Sequence, residues 1–268
     1  MAWKKIYSVF PYGKCKALTL SYDDGNINDI RLSFIFRKYG LKATFNLNSG
    51  LSDNDETRIK KRDWKDVYSG FELASHTVTH PTLSRLPLSR VAEEILEDRK
   101  AIESITGSPV RGFAYPNGVY NPEIVSLLPS LGISYARIVG DTDSFNIPDD
   151  FYRWKATCHH NHRLLENART FLEFNKPWYL KLMYVWGHSF EFPRDDNWSL
   201  MEEFARLVGG RDEIWYATNI EIVDYLEASR RLIYTADCSR VFNPSAMDVW
   251  ITLDDAPLCL KGGTLTEL

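Results

Sequence analysis

The strongest constraint on the fold is an alternation that runs through most of the chain: short apolar runs are followed, one after another, by stretches with helical periodicity. Lys16 to Ser21 reads as a strand. Asp29 to Tyr39 reads as a helix, with Ile30, Phe34 and Ile35 at helical spacing and Gly40 as its stop. Ala43 to Leu47 is a second strand, and the polar stretch from Asp53 to Tyr68 reads as helical. Phe71 to Ser75 is the third strand, and the helix over Ser89 to Thr106 sets Val91, Ile95, Ile102 and Ile105 on one face before Gly107 and Pro109 end it. Gly112 to Ala114 is the fourth strand, followed by a helix from Asn121 as cap and Pro122 as first residue to about Leu131. Ser134 to Val139 is the fifth. A long loop is expected over Asp141 to Arg163, then a helix over Leu164 to Phe174, a buried strand over Trp178 to Val185, and a helix over Ser199 to Leu207. A last strand over Glu213 to Ala217 leads into an Asn219-capped helix ending at Arg231. Strands alternating with helices imply a parallel sheet covered by helices. Seven such units predict an α/β fold closing into a distorted (β/α)7-type barrel over residues 1–231.

The remaining tail, residues 232–268, is β-prone at Val249 to Leu253 and rich in turn residues, which predicts a small C-terminal β extension packed on the barrel. A chain of 268 residues with 44% hydrophobic and 25% charged residues can bury one large core. The net charge of -4 gives no electrostatic reason to expect nucleic acid or an anionic membrane as partner. No run approaches the roughly twenty apolar residues of a membrane span, and the N-terminus lacks a signal peptide's apolar core, so a cytoplasmic location is expected. The four cysteines are scattered without a Cys-x-x-Cys pair and read as free thiols. Oligomeric state is left open.

In barrels of this kind the reactive groups collect at the C-terminal ends of the strands. Asp23 and Asp24 follow the first strand, Asn48 the second, His76 and His80 the third, Asn117 the fourth, Asp141 the fifth and His188 the sixth. Two adjacent carboxylates repel, and holding both ionised calls for a cation or a shared proton. His76 and His80, four residues apart, fall on one face of a helical turn and can reach one metal ion. Two imidazoles and one carboxylate leave coordination positions open, as a catalytic rather than a structural metal requires.

These residues resemble the polysaccharide deacetylase family (carbohydrate esterase family four), over about Lys16 to Leu226. Thr19-Leu-Ser-Tyr-Asp-Asp-Gly25 is similar to the family's first motif, which implies Asp23 as general base and Asp24 as metal ligand. Ser75-His-Thr-Val-Thr-His80 is similar to the second and implies His76 and His80 as the other two ligands. Val185-Trp-Gly-His188 resembles the fifth, implying His188 as general acid and Val185 as lining of the acetyl-methyl pocket, with Trp186 beside it. The third and fourth motifs depart from the pattern. Phe113-Ala-Tyr-Pro-Asn-Gly118 puts Ala114 where an arginine usually orients the catalytic aspartate, and Asp141-Thr-Asp-Ser-Phe145 is a loose echo of the segment whose aspartate holds that arginine. Arg111 or Arg137 could supply the missing charge from a neighbouring strand, and Arg137, inside a barrel strand, is the better candidate. By analogy the backbone N–H of Asn117 would help bind the oxyanion, with Tyr115 and Asp141 among the substrate-facing residues.

The resemblance implies a metal-dependent removal of N-acetyl groups from an acetylated amino-sugar saccharide, of chitooligosaccharide or peptidoglycan type. The ion would be one divalent metal, zinc first, with cobalt, nickel or manganese able to take the same ligands. Two alternatives are an amidohydrolase acting on a non-sugar amide and a carbohydrate-binding protein that has lost turnover. His159, His160 and His162 with Trp154, and Trp186 with Trp198, could line a sugar groove; solvated histidines and core tryptophans are the plainer reading.

Overall fold

The computed structural model describes residues 4–268. Its strands are β1 (Ile6–Val9), β2 (Lys16–Asp23), β3 (Thr44–Leu47), β4 (Glu72–Ser75), β5 (Gly112–Ala114), β6 (Tyr135–Asp141), β7 (Trp154–Ala156), β8 (Cys158–His159), β9 (Lys181–His188), β10 (Ile214–Tyr216), β11 (Ile233–Tyr234), β12 (Arg240–Phe242), β13 (Val249–Leu253), β14 (Ala256–Leu260) and β15 (Leu265–Glu267). Its helices are α1 (Asp29–Lys38), α2 (Ser49–Ser52), α3 (Trp64–Val67), α4 (Leu88–Thr106), α5 (Pro122–Leu127), α6 (Leu164–Glu173), α7 (Glu191–Arg194), α8 (Trp198–Val208) and α9 (Asn219–Arg230).

Strands β2 to β10 form one parallel sheet, ordered β7-β6-β5-β4-β3-β2-β9-β8, with β10 alongside the first half of β2. β7 pairs with β6 and β8 pairs with β9, and these two short strands are consecutive pieces of one extended segment, residues 154–159. Thr157 between them donates its N–H to the carbonyl of Tyr184 on β9. One stretch of chain thus grips the ladder on either side, giving the distorted α/β barrel.

Alternation along each strand sorts side chains into two populations. On β2, Leu18, Leu20 and Tyr22 face outward and are fully buried with Leu32, Ile35 and Phe36 of α1 and Phe204, Ala205 and Val208 of α8. Burial of this kind stabilises by about 1.5–3 kcal/mol per large side chain. Thr19, Ser21 and Asp23 face inward, where Thr19 donates to Asn219 and Asn46 donates to both Ser21 and Asp23. The interior joins this hydrogen-bonded polar network to the packed rings of Tyr135, Trp154 and Tyr184.

Several boundaries differ from the sequence reading. Of the expected apolar face of α1 only Ile35 is buried, together with Leu32 and Phe36, while Ile30 and Phe34 are exposed. No long helix fills Asp53–Tyr68: the stretch has no apolar face, and only a 3-10 turn and the single-turn α3 form, anchored by buried Ile59 and Trp64. The expected loop over 141–163 contains β7 and β8, too short to show alternation. β9 begins three residues later than expected, leaving Trp178 and Tyr179 exposed, and ends on His188. The cap of α9 is Thr218, in a reciprocal capping box with Glu221, which frees Asn219 to turn into the barrel. The tail forms β11-β12-β15, while β13 pairs both with β14 and with the N-terminal β1, so the small β1-β13-β14 sheet draws on both ends of the chain. That sheet packs where β2 begins, with Val249 against Phe10, Ala17 and Tyr225.

Candidate active site

Parallel pairing sets the site's registry. Asp23, the last residue of β2, lies level with Asn46 of β3 on one side and His188 of β9 on the other. Asn46 donates to Asp23 Oδ1 at 2.7 Å. His188 Nε2 stands 3.9 Å from Asp23 Oδ2, and so does His76 Nε2. Arg137 is buried in the barrel and donates from Nη2 to Asp23 Oδ2. On β6 it pairs in register with Ala114 of β5, so the guanidinium sits one strand over from the position that lacks one. Burial pushes the Asp23 carboxyl up, but Arg137, then His76, His188 and the Asn46 amide, outweigh it and hold the group at about 2.

Asp24 follows at φ 80°, a left-handed conformation that swings its side chain away from Asp23. His76 and His80 do not lie on a helical face: Thr77 and His80 adopt φ of 70° and 56°, and a tight loop brings the imidazoles together, their centroids 4.7 Å apart. His80 Nε2 is 3.8 Å and His76 Nε2 4.0 Å from Asp24 Oδ1, and that oxygen is buried without a hydrogen-bond partner. His76 Nδ1 is 2.8 Å from the Ala114 carbonyl, which only accepts, so the ring proton sits on Nδ1 and the Nε2 lone pair points at Asp24. Burial lowers the His76 pKa to about 4 against the opposing pull of Asp23 and Asp24, keeping the ring neutral. An orphaned carboxylate oxygen facing two imidazole nitrogens, one with its tautomer fixed from behind, fits a divalent cation. Among the described residues Asp24, His76 and His80 form one of two groups whose ligand atoms cluster in this way.

The supports of this loop were not foreseen. Asp98 of α4 accepts from the Ser75 hydroxyl at 2.6 Å, the His76 N–H at 3.2 Å and the Ser49 N–H at 2.7 Å; Glu94, one turn earlier, holds Thr79 through its N–H and hydroxyl. Two acids four apart on the helix face that buries Val91 and Ile95 are the signal that was available. Arg58 was also missed. It reaches the Asp24 carbonyl and Asn48 Oδ1, with Nη1 3.6 Å from Asp24 Oδ1. In the sequence it sits in the stretch read as a helix.

Other residues fall elsewhere than expected. Val185 has outward parity on β9 and is buried among the helix-facing residues, so it does not line the pocket; Trp186, two positions before His188, shares its inward face. Trp186 is nearly buried, its ring 4.7 Å from the Arg137 guanidinium and its Nε1 donating to Asp141 Oδ1 at 3.0 Å. It is a wall of the site, not an open stacking platform. Asp141 does not hold the arginine: its Oδ1 accepts from the Trp186 indole and from the His159 N–H at 2.6 Å. Tyr115 is buried against Phe113 and Tyr120 and donates to the Tyr152 carbonyl, a packing role rather than a substrate contact. Trp154 fills the barrel against Tyr135 and Tyr184; Trp198 stacks on Phe192; His162 pairs with Asp143 at 3.1 Å. Arg111 pairs with Asp224 instead of facing the site. Asn117 sits exposed on the loop after β5, at φ 58°.

Residues 11–136 match the family model described as Polysaccharide deacetylase. Over that stretch, a little under half of its length, the chain is similar to the polysaccharide deacetylase family. The uncharacterized protein YlxY of Bacillus subtilis (strain 168) is 29% identical over 122 residues, which are 46% of this chain and 37% of that relative. This chain therefore matches well under half the length of that curated relative. Among solved structures, a carbohydrate esterase family 4 domain of a multidomain xylanase, from the hindgut metagenome of Trinervitermes trinervoides, superposes with a TM-score of 0.54 at 18% identity, covering 80% of this chain and 92% of that one. A carbohydrate esterase family 4 pseudoenzyme from Bacillus anthracis superposes with a TM-score of 0.53 at 18% identity, covering 81% and 68%. At such identities the structures speak for the deacetylase fold alone. Among the described residues no helix is long and apolar enough to cross a membrane.

Proposed function

We propose that this chain is a metal-dependent deacetylase that removes N-acetyl groups from an acetylated amino-sugar saccharide of chitooligosaccharide or peptidoglycan type. The observation that carries this reading is the juxtaposition at one barrel mouth of a ligand triad, Asp24, His76 and His80, with a separate carboxylate, Asp23, kept ionised by Arg137. Asp24, His76 and His80 would hold a divalent ion, zinc or another suited to two imidazoles and a carboxylate, which would supply a water of lowered pKa and polarise the acetamide carbonyl.

The chain's own groups account for the proton movements. Asp23 accepts a proton from water as its oxygen adds to the carbonyl carbon. Arg137 and Asn46 hold that carboxylate in the ionised form a base requires. His188, across the pair at 3.9 Å, delivers a proton to the amine nitrogen as the C–N bond breaks, yielding acetate and a free amine. Burial pulls the His188 pKa down, but the Glu191 carboxylate 3.6 Å from Nδ1 and the charges of Asp23 and Asp24 outweigh it and raise the pKa, favouring the protonated form an acid needs. The Asn117 N–H is assigned to the oxyanion. Arg137 supports an active enzyme over a lapsed one, because a guanidinium absent at Ala114 reaches Asp23 from the next strand.

The test is acetate release from N-acetylated chitooligosaccharides and peptidoglycan fragments, before and after chelation and with metal added back. Release that chelation abolishes and metal restores is expected. Release from simple non-sugar amides alone, or sugar binding without release, refutes the proposal.

A further inference from the structure

The second group of clustered ligand atoms lies beside the site, around the carboxylate of Glu191. Glu191 opens α7, three residues after His188, and is almost entirely buried. One of its oxygens, Oε2, is faced by three imidazoles: His159 Nε2 at 2.9 Å, His160 Nε2 at 3.4 Å and His188 Nδ1 at 3.6 Å. The same oxygen accepts the backbone N–H of His188 at 3.2 Å.

Two chemistries could explain three imidazoles around one oxygen, a second metal ion or a proton-held network, and the tautomer of His159 decides between them. Its Nδ1 accepts the backbone N–H of Asn161 at 3.1 Å, so the ring proton sits on Nε2 and is directed at Glu191. A nitrogen carrying that proton cannot ligate a metal. His160 is fully buried between Tyr22 and Phe192, its ring 5.7 Å and 4.3 Å from theirs, and burial lowers its pKa to about 3, so it brings no charge. The carboxylate therefore has two close imidazole neighbours available for charge exchange: His159, which anchors it, and His188, which the deacetylase reading makes the acid.

Resting on that reading, we propose that Glu191 is a positioning residue that fixes His188 as its Nδ1–H tautomer and steadies the imidazolium. With Nδ1–H turned to Glu191, Nε2 is the nitrogen left to face Asp23 and the leaving amine. In the transfer the Nε2–H bond breaks as an N–H bond forms on the amine, and the electron pair of the broken C–N bond stays on that amine. Glu191 remains a carboxylate throughout, with the His159 proton at its back. Asp141 belongs to the same assembly, because it holds the His159 backbone and Trp186 in place.

The experiment uses the metal-loaded full chain, with Glu191→Met, Glu191→Gln and His159→Ala. Long-range 1H–15N NMR reads the His188 tautomer and needs no substrate: Nδ1–H is expected in the unaltered chain and in Glu191→Gln, whose amide oxygen still accepts, and is expected to be lost in Glu191→Met. On a chitooligosaccharide, kcat is expected to fall by about 10–100-fold in Glu191→Met, no more than the lower end of the 10²–10⁴-fold that a general acid itself contributes, with KM changed less than about twofold. Glu191→Gln and His159→Ala are expected to fall in between. An Nε2–H tautomer in the unaltered chain, an unchanged kcat in Glu191→Met, or a second bound zinc per chain that Glu191→Met removes would each overturn the proposal. Failure of the unaltered chain to release acetate, with the tautomer still following Glu191, would instead sink the deacetylase reading and leave this geometry standing.

Discussion

Replacing Arg137 by methionine is the most informative single perturbation. Arg137 and Asp23 are both buried, and removing one member of such a pair costs about 3–5 kcal/mol because the other is left uncompensated. The Asp23 carboxyl stands at about 2 because the guanidinium, backed by weaker imidazole and amide contributions, overrides burial. Without the guanidinium, burial dominates and the carboxyl climbs above its ordinary value of 3.8. A protonated Asp23 is no base, and a positioned base contributes about 10²–10⁴-fold. Arg137→Met is therefore expected to lower kcat/KM for acetate release by about 10²-fold and to move the acid limb of the pH–rate profile upward. Arg137→Lys should recover part of the loss, since it restores a charge without the planar face that lies on Trp186. Because Ala114 and Arg137 are level on adjacent strands, Ala114→Arg in the Arg137→Met background should recover at least about tenfold of that loss. Arg137→Met with an unaltered kcat/KM and an unmoved acid limb would refute the reasoning.

Asp23→Asn is expected to keep its bound metal and lose at least about 10²-fold in turnover, whereas His80→Ala should lose both; metal content and acetate release, measured side by side, separate them. Asp29 gives a stability prediction. Burial raises its carboxyl to about 7 against the neighbouring Ser189 hydroxyl and the hydrogen bond from Tyr68, and its Oδ1 has no partner. A folded pKa above the unfolded one stabilises fully below the unfolded value, near 4, and that contribution is lost as pH rises through about 7, on the order of 2–4 kcal/mol for this group. Denaturant midpoints of the metal-free chain should therefore fall between pH 4 and 7, and Asp29→Asn should flatten that slope; an equal slope in both would count against it.

How much was legible follows from the kind of contact involved. Asp23, Asp24, His76, His80 and His188 stand at strand ends, and a barrel gathers strand ends whatever the details of its loops. Arg137 stood out as a charge inside an apolar strand. Glu94 and Asp98 act across elements and were announced only by their place on the apolar face of α4, whereas Glu191 sits in a helix of four residues that shows no pattern at all. Val185 was placed in the pocket by the fifth-motif resemblance, whereas the alternation of β9 puts a residue three before His188 on the opposite face. The histidine pair was chosen for helical spacing, yet left-handed turns at Thr77 and His80 bring the rings together, a route that spacing alone does not reveal.

The clasp at residues 154–159 has a bearing on turnover as well as on architecture. Its last residue, His159, is the brace behind Glu191, so the hoop of strands and the proposed proton donor share a hinge pin. The barrel cannot spring its seam there without slackening the imidazole proposed to finish the reaction.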